Sequence, residues 1–222
     1  MRIGEPALRT LDPAAVHDVR AAVRRIRTVV RVFDRLPSEG IGVPLRRWSD
    51  VLGAAREPAA LRETLASVCP ATLMADLLPE IEAEQDAAVR LMLTELDTPE
   101  HRALLEQLTA LAVRDLDLPL RTRSAVRKAA RKAQRRLDDA GPDDLDQLHR
   151  ARKAAKRARY AAEAIGDAKA AHRWKSVQNA LGEHRDCVIA ARRLGGVLRE
   201  DAERARGELR ERAAAVLAAC RA

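Results

Sequence analysis

The sequence predicts an all-α protein, and three observations carry that expectation. Ala, Leu, Arg and Glu dominate the 222 residues, while aromatic side chains make up only 2%. Those are helix-forming residues, and the β-branched and aromatic types that suit a pleated sheet are scarce. No segment alternates apolar and polar residues over more than a few positions, as a half-buried strand would. Ten prolines and ten glycines punctuate the chain at helix-length intervals, too few and too scattered for low complexity. With 44 alanines inside a 47% apolar content, the core is expected to be built from close-packed thin side chains. A chain of this length buries a core without disulfides or metals.

The elements follow from the punctuation. Asp12-Pro13 reads as an N-cap and first helical residue, opening a helix to about Arg35, before Leu36-Pro37. Gly40 and Gly42 mark a loop, and Pro44 opens a second helix ending near Glu57-Pro58. A short third helix spans about Ala59 to Val68. Pro79 is read as opening a fourth, to about Leu96. Thr98-Pro99 starts a fifth, to about Asp115, and Pro119 a sixth, to about Asp139, closed by Gly141-Pro142. Asp143 starts a seventh, to Ile165-Gly166. Asp167 to about Leu194 is the eighth, and Gly196 to Cys220 the ninth.

The balance of 41 Lys and Arg against 33 Asp and Glu gives a formal charge of +8, and 35 of those cations are Arg. Arg pairs bidentately with phosphate, but a biased composition proves little by itself, so position decides. Cys69, Cys187 and Cys220 are dispersed, with no CxxC and no Cys/His cluster, so neither a disulfide framework nor a structural zinc site is indicated. No apolar run of 18 residues occurs, and the start lacks an apolar leader. A soluble, reducing, cytoplasmic setting without membrane contact is expected.

The chain repeats itself. His17, Arg20, Arg24, Arg25 and Arg27 recur as His149, Arg152, Lys156, Arg157 and Arg159 at an offset of 132. Leu52-Gly53-Ala54-Ala55-Arg56-Glu57 recurs as Leu181-Gly182-Glu183-His184-Arg185-Asp186 at an offset of 129. Two ordered elements at nearly one spacing indicate a duplication. A single domain over residues 1–222 is expected, with halves 1–118 and 119–222, each the size of a helical bundle. Gly53 and Gly182 are expected to allow close helix contact.

At 100° per residue, His17, Arg20, Arg24, Arg27, Arg31 and Arg35 fall within an arc of about 80° on the first helix, with no acid among them. Val16, Val19, Val23, Ile26, Val30 and Phe33 form a core stripe beside it. His149, Arg152, Lys156 and Arg159 repeat the basic arc on the seventh helix, with Leu148, Ala151, Ala155, Ala158, Ala162 and Ile165 as its core stripe. Glu163 is positioned to pair with a local Arg. A charged face is usually a solvated face. A solvated face, however, normally mixes signs, because like charges four residues apart repel. This arc is single-signed, abuts the core and occurs twice, which argues for a groove that concentrates polyanions. The sixth helix adds Arg127 and Arg131, each one residue after a core position, while Lys128, Lys132 and Arg135 read as solvent-facing.

A metal role for the His17/His149 pair is an alternative, but neither arc holds an i,i+4 His or carboxylate partner. His101, His172 and His184 stand alone and are read as surface residues. The sequence carries no GxxxxGK[ST] loop, no HExxH and no paired metal carboxylates beside the arcs, so no catalytic residues, cofactor or metal ligands are assigned. A nucleic-acid-binding protein is a second alternative, disfavoured because only four aromatics are present to stack on bases.

The pattern His-x-x-Arg-x-x-x-[Arg/Lys]-Arg-x-Arg, twice, with a downstream Leu-Gly-x-x-Arg-[Asp/Glu], resembles the CHAD family (conserved histidine α-helical domain). The resemblance implies two pseudo-two-fold-related helical bundles enclosing a basic pore. It also implies non-catalytic binding of inorganic polyphosphate; other polyanions as further partners and an association with polyphosphate granules are expected with it. Carried over, His17, Arg20, Arg24, Arg27, His149, Arg152, Lys156 and Arg159 would line that pore, joined on the residue reading by Arg31, Arg127 and Arg131. Only about eleven residues precede the first His helix, where family members carry a further helix. Glu80, Glu82 and Glu84 alternate as in an appended triphosphatase domain, but they lie in a helical pattern, and no second domain is expected.

Overall fold

The computed structural model describes residues 8–10, 13–33, 40–113 and 122–221. Among these residues the chain is all-α, with no strand. The helices are α1 (Pro13–Phe33), α2 (Gly42–Ala54), α3 (Glu57–Ala66), α4 (Ala71–Leu96), α5 (Pro99–Val113), α6 (Thr122–Asp138), α7 (Leu145–Ala164), α8 (Ala168–Arg193) and α9 (Glu200–Arg221), with a 3₁₀ turn at Leu194–Gly196. The expected ends at Arg35 and Asp115 and the expected opening at Pro119 lie outside the described residues.

One expected boundary is corrected. Pro79 does not open α4 but lies inside it, eight residues after its start. The proline ring cannot donate to the Ala75 carbonyl, a cost normally avoided in a helix interior. Packing offsets it here: Leu73, Leu77 and Ile81 on either side are all buried in one core.

The chain divides into two compact units, residues 1–58 with 83–120, and residues 59–82 with 121–222. In the first unit, Val23 of α1 is fully buried with Leu45, Trp48 and Leu52 of α2, Met92 and Leu96 of α4, and Leu104 and Leu108 of α5. Val16, Val19 and Ile26 pack against that core, as the α1 stripe requires. Leu8, ahead of α1, is helical and buried in the same core, and Arg9 beside it pairs with Asp97 at 2.7 Å.

His101 is corrected from surface to core: it is 4% exposed and packs its ring 4.6 Å from that of Trp48. Its place at i with Leu104 at i+3 and Leu108 at i+7 puts it on the buried stripe of α5. Thr98 caps that helix as expected, its Oγ1 accepting from the His101 backbone N–H at 3.1 Å.

In the second unit the thin-residue core is evident. Ala133, Ala154, Ala155 and Ala158 pack round Trp174, and Ala190, Ala191, Ala202, Ala205 and Ala213 pack with Leu65, Leu73, Ile81 and Leu209. The α7–α8 connection is built locally. Gly166 adopts φ of +74°, and the N–H groups of Gly166 and Asp167 donate back to the carbonyls of Glu163 and Ala162. That is a Schellman ending, for which glycine is suited. Asp167 then caps α8, its carboxylate accepting from Ala170 N–H at 3.0 Å. Asp144 does the same for α7, accepting from Gln147 N–H at 2.9 Å. His184 is the second corrected histidine, 5% exposed on the α8 face that also carries Leu181, Cys187 and Ala191. His172 is exposed, as expected.

Candidate functional site

In the second unit the basic arc of α7 flanks its core stripe. Leu148, Ala151, Ala155, Ala158 and Ala162 are buried, while Arg152, Lys156 and Arg159 are half-buried and His149 is exposed at the helix start. Arg159 is held locally, as the Glu163 expectation requires. Its Nε donates to Glu163 Oε1 at 2.8 Å, its Nη1 to Gln178 Oε1 at 3.4 Å, and the guanidinium stacks 5.1 Å from the Tyr160 ring centre.

Arg152 shows what Gly182 does. Its Nη2 and Nε lie 3.6 and 3.7 Å from the place a Cβ would take at Gly182. The neighbour of that position is a guanidinium head at ordinary contact distance, not a second helix backbone, and this corrects the expected role. Gly53, its counterpart in the first unit, has open space within 4 Å of that position, so close helix contact does not explain it.

Sequence reasoning missed one contributor. Although His149 is exposed as a residue, partial desolvation lowers its pKa from 6.5, and the charges of Lys153, Arg185, Arg152 and Lys156 lower it further. Arg185 comes from α8, so α7 and α8 together build a positive field around one imidazole. The signal was in the repeat: Arg185 and Arg56 occupy the Arg position of the two Leu-Gly elements. Arg185 lies 3.6 Å from Asp186, a long contact that neutralises it only in part.

In the first unit Arg20, Arg24 and Arg27 of α1 are half-buried, and Arg25, off the arc, is exposed. The Nε of Arg24 is buried with no hydrogen-bond acceptor among the described residues. A buried donor of this kind calls for a partner, and an anion oxygen would supply one. Thr28, buried on the next turn, ties its Oγ1 to the Arg24 carbonyl at 3.0 Å. The side chains of His17 and Arg31 lie outside the described set. On α6, Val126, Ala133 and Leu137 are buried and Arg127 and Arg131 are exposed, as are Lys128, Lys132 and Arg135, so exposure does not separate the two groups.

Chemically, these arrangements offer fixed guanidinium and ammonium groups about 5 Å apart along each helix, the spacing of one turn. Such groups bind and orient anions. Among the described residues, no group of three or more His, Cys, Asp or Glu side chains is placed to hold a metal ion. No helix among them is long and apolar enough to cross a membrane.

An all-α protein with a repeated His/Arg sequence pattern and basic residues beside a core stripe defines the class. The CHAD domain family model matches residues 2–195, and the chain belongs to that family. The uncharacterized proteins Rv2226 and MT2285, from two strains of Mycobacterium tuberculosis, are each 30% identical over 203 residues, 81% of this chain. The chain spans 40% of the length of these curated relatives. Among solved structures, PptA from Streptomyces chartreusis has a similar fold, with a TM-score of 0.74, 19% identity, and coverage of 97% of this chain and 89% of that one. The CHAD domain from the plant Ricinus communis scores 0.73 at 24% identity, covering 95% and 82%.

Proposed function

We propose that this chain binds inorganic polyphosphate without catalysis, through the two repeated His/Arg helices. The observation that carries the reading is the α7–α8 cluster: Arg152, Lys153, Lys156 and Arg185 build a positive field around His149, with Arg152 seated over Gly182. Membership of the CHAD family supports a polyphosphate-related role. His17, Arg20, Arg24, Arg27 and Arg31 are the matching set on α1, and Arg159, Arg127 and Arg131 complete the assigned residues. The basic pore, and the duplication into halves 1–118 and 119–222, belong to this proposal.

The mechanism is counter-ion replacement. Successive cations neutralise successive phosphates, and the released counter-ions make affinity fall steeply with salt. Arg heads grip phosphate oxygens two at a time, while a Lys acts as a point charge. Arg159 contributes less than Arg152, because Glu163 already offsets its charge. The proposal includes a cytoplasmic location, at polyphosphate granules where these form.

A competition assay tests the reading: labelled long-chain polyphosphate is displaced by unlabelled polyphosphate, single-stranded DNA and duplex DNA at near-physiological salt. Polyphosphate is expected to displace the label at far lower phosphate concentration than either nucleic acid. Equal displacement by nucleic acid would turn the assignment to a general or nucleic-acid-binding surface.

A further inference from the structure

The second unit contains an open cleft of about 760 Å³ between α8, α9 and the segment joining α6 to α7. None of the residues assigned to polyphosphate lines it. Its base is apolar: Val188, Ala191, Ala213 and Leu217. Its rim carries Arg192, Arg206, Arg210 and Arg221 against a single carboxylate, Asp143.

One polar group at this cleft is buried without an acceptor, and an imidazole ring lines the cleft with it. His184 lines the cleft and is 5% exposed. Nε of Arg206 is buried with no acceptor among the described residues, while its Nη2 pairs with Glu203. Arg192 and Arg210 are exposed and form no ion pair among the described residues. Free cations beside an apolar base are the composition of a small-ligand site, and the volume is in the range such sites occupy.

We propose that this cleft binds a small amphiphilic phosphomonoester, with the phosphate on the arginine rim and a short alkyl or acyl body on the apolar base. Several features select that class. A phosphate dianion engages more than one guanidinium, each able to pair bidentately. No Phe, Tyr or Trp side chain lines the cleft, so a nucleotide base would find none of the large rings that hold bases by stacking. A wholly polar polyphosphate chain would leave the apolar base unused. Burial, and secondarily the charge of Arg221, lower the His184 pKa. That shift favours the neutral ring, whose N–H can donate to an ester oxygen. The inference does not depend on the polyphosphate reading.

Titration calorimetry with octyl phosphate below its micellar concentration tests it, with inorganic phosphate as the control. Ala214 lines the cleft from an exposed position on α9, so Ala214→Trp fills the space without entering the core. Arg192→Glu with Arg210→Glu reverses the rim charge at two exposed positions. Octyl phosphate is expected to bind one to one, at least about tenfold tighter than inorganic phosphate, since each buried methylene adds affinity. Both variants should lose about tenfold or more of that affinity. Polyphosphate binding should be unchanged in Ala214→Trp. Octyl phosphate binding no tighter than phosphate, or equally well to both variants, would overturn the proposal. So would a parallel loss of polyphosphate binding in Ala214→Trp, which would make the cleft part of the polyphosphate site.

Discussion

His149 gives the proposed site a pH signature. Its pKa is held below 6.5 by partial desolvation and then by four neighbouring cations. An anion placed among those cations offsets their charge and raises the pKa again, so binding takes up a proton. Polyphosphate affinity should therefore increase as pH falls from 8 through 6, and His149→Gln should flatten that dependence, read by fluorescence titration at several pH values. The sign reverses for stability without ligand. The unfolded chain takes up protons near pH 6.5 that folded His149 and His184 resist, so stability should decline as pH drops below that value. Gly182 makes a second residue-scale prediction. A Cβ at 3.6 Å is ordinary contact, so Gly182→Ala should bind and fold normally. Gly182→Leu should displace the Arg152 head, weakening polyphosphate binding and costing about 1–3 kcal/mol by overpacking.

At the scale of the element, helix ends are set by side chains visible in the sequence. Asp144→Ala and Asp167→Ala each remove a cap acceptor and should lower stability by about 1 kcal/mol in denaturant unfolding. Trp48→Ala should cost about 3–5 kcal/mol, because the ring is 1% exposed and supports His101 as well as Leu45 and Leu52. The helices themselves were legible because Thr98-Pro99, Gly166 and Asp167 act on their own neighbours. Pro79 was not, because burial of Leu77 and Ile81 outweighs a local helix-breaking signal, and burial is a tertiary quantity. His101 and His184 are buried for a related reason. Each lies on an apolar stripe at i,i+3 spacing, and that position outweighs the polarity of its residue type.

At the scale of the molecule, packing regroups what the repeat suggests. Residues 59–82 precede the repeat boundary near residue 118 but pack in the second unit, with Leu65, Leu73 and Ile81 beside Leu209. No local pattern encodes that choice of partner. The two arcs were legible, since periodicity alone separates Arg152 and Lys156 from Ala151 and Ala155. The α8 contribution of Arg185 was not, because two helices must first be packed before their charges share a field.

The most direct test of the central claim is the salt dependence of long-chain polyphosphate binding in two double variants, with thermal unfolding as a control for the fold. Arg20→Ala/Arg24→Ala and Arg152→Ala/Lys156→Ala should weaken binding to a similar degree, and each should make the log–log salt slope shallower by about 2, one per lost phosphate contact. The variant with all four changes should nearly abolish binding. Wild-type affinity and slope in both double variants, with the fold intact, would show that the repeated His/Arg helices do not hold the polyphosphate.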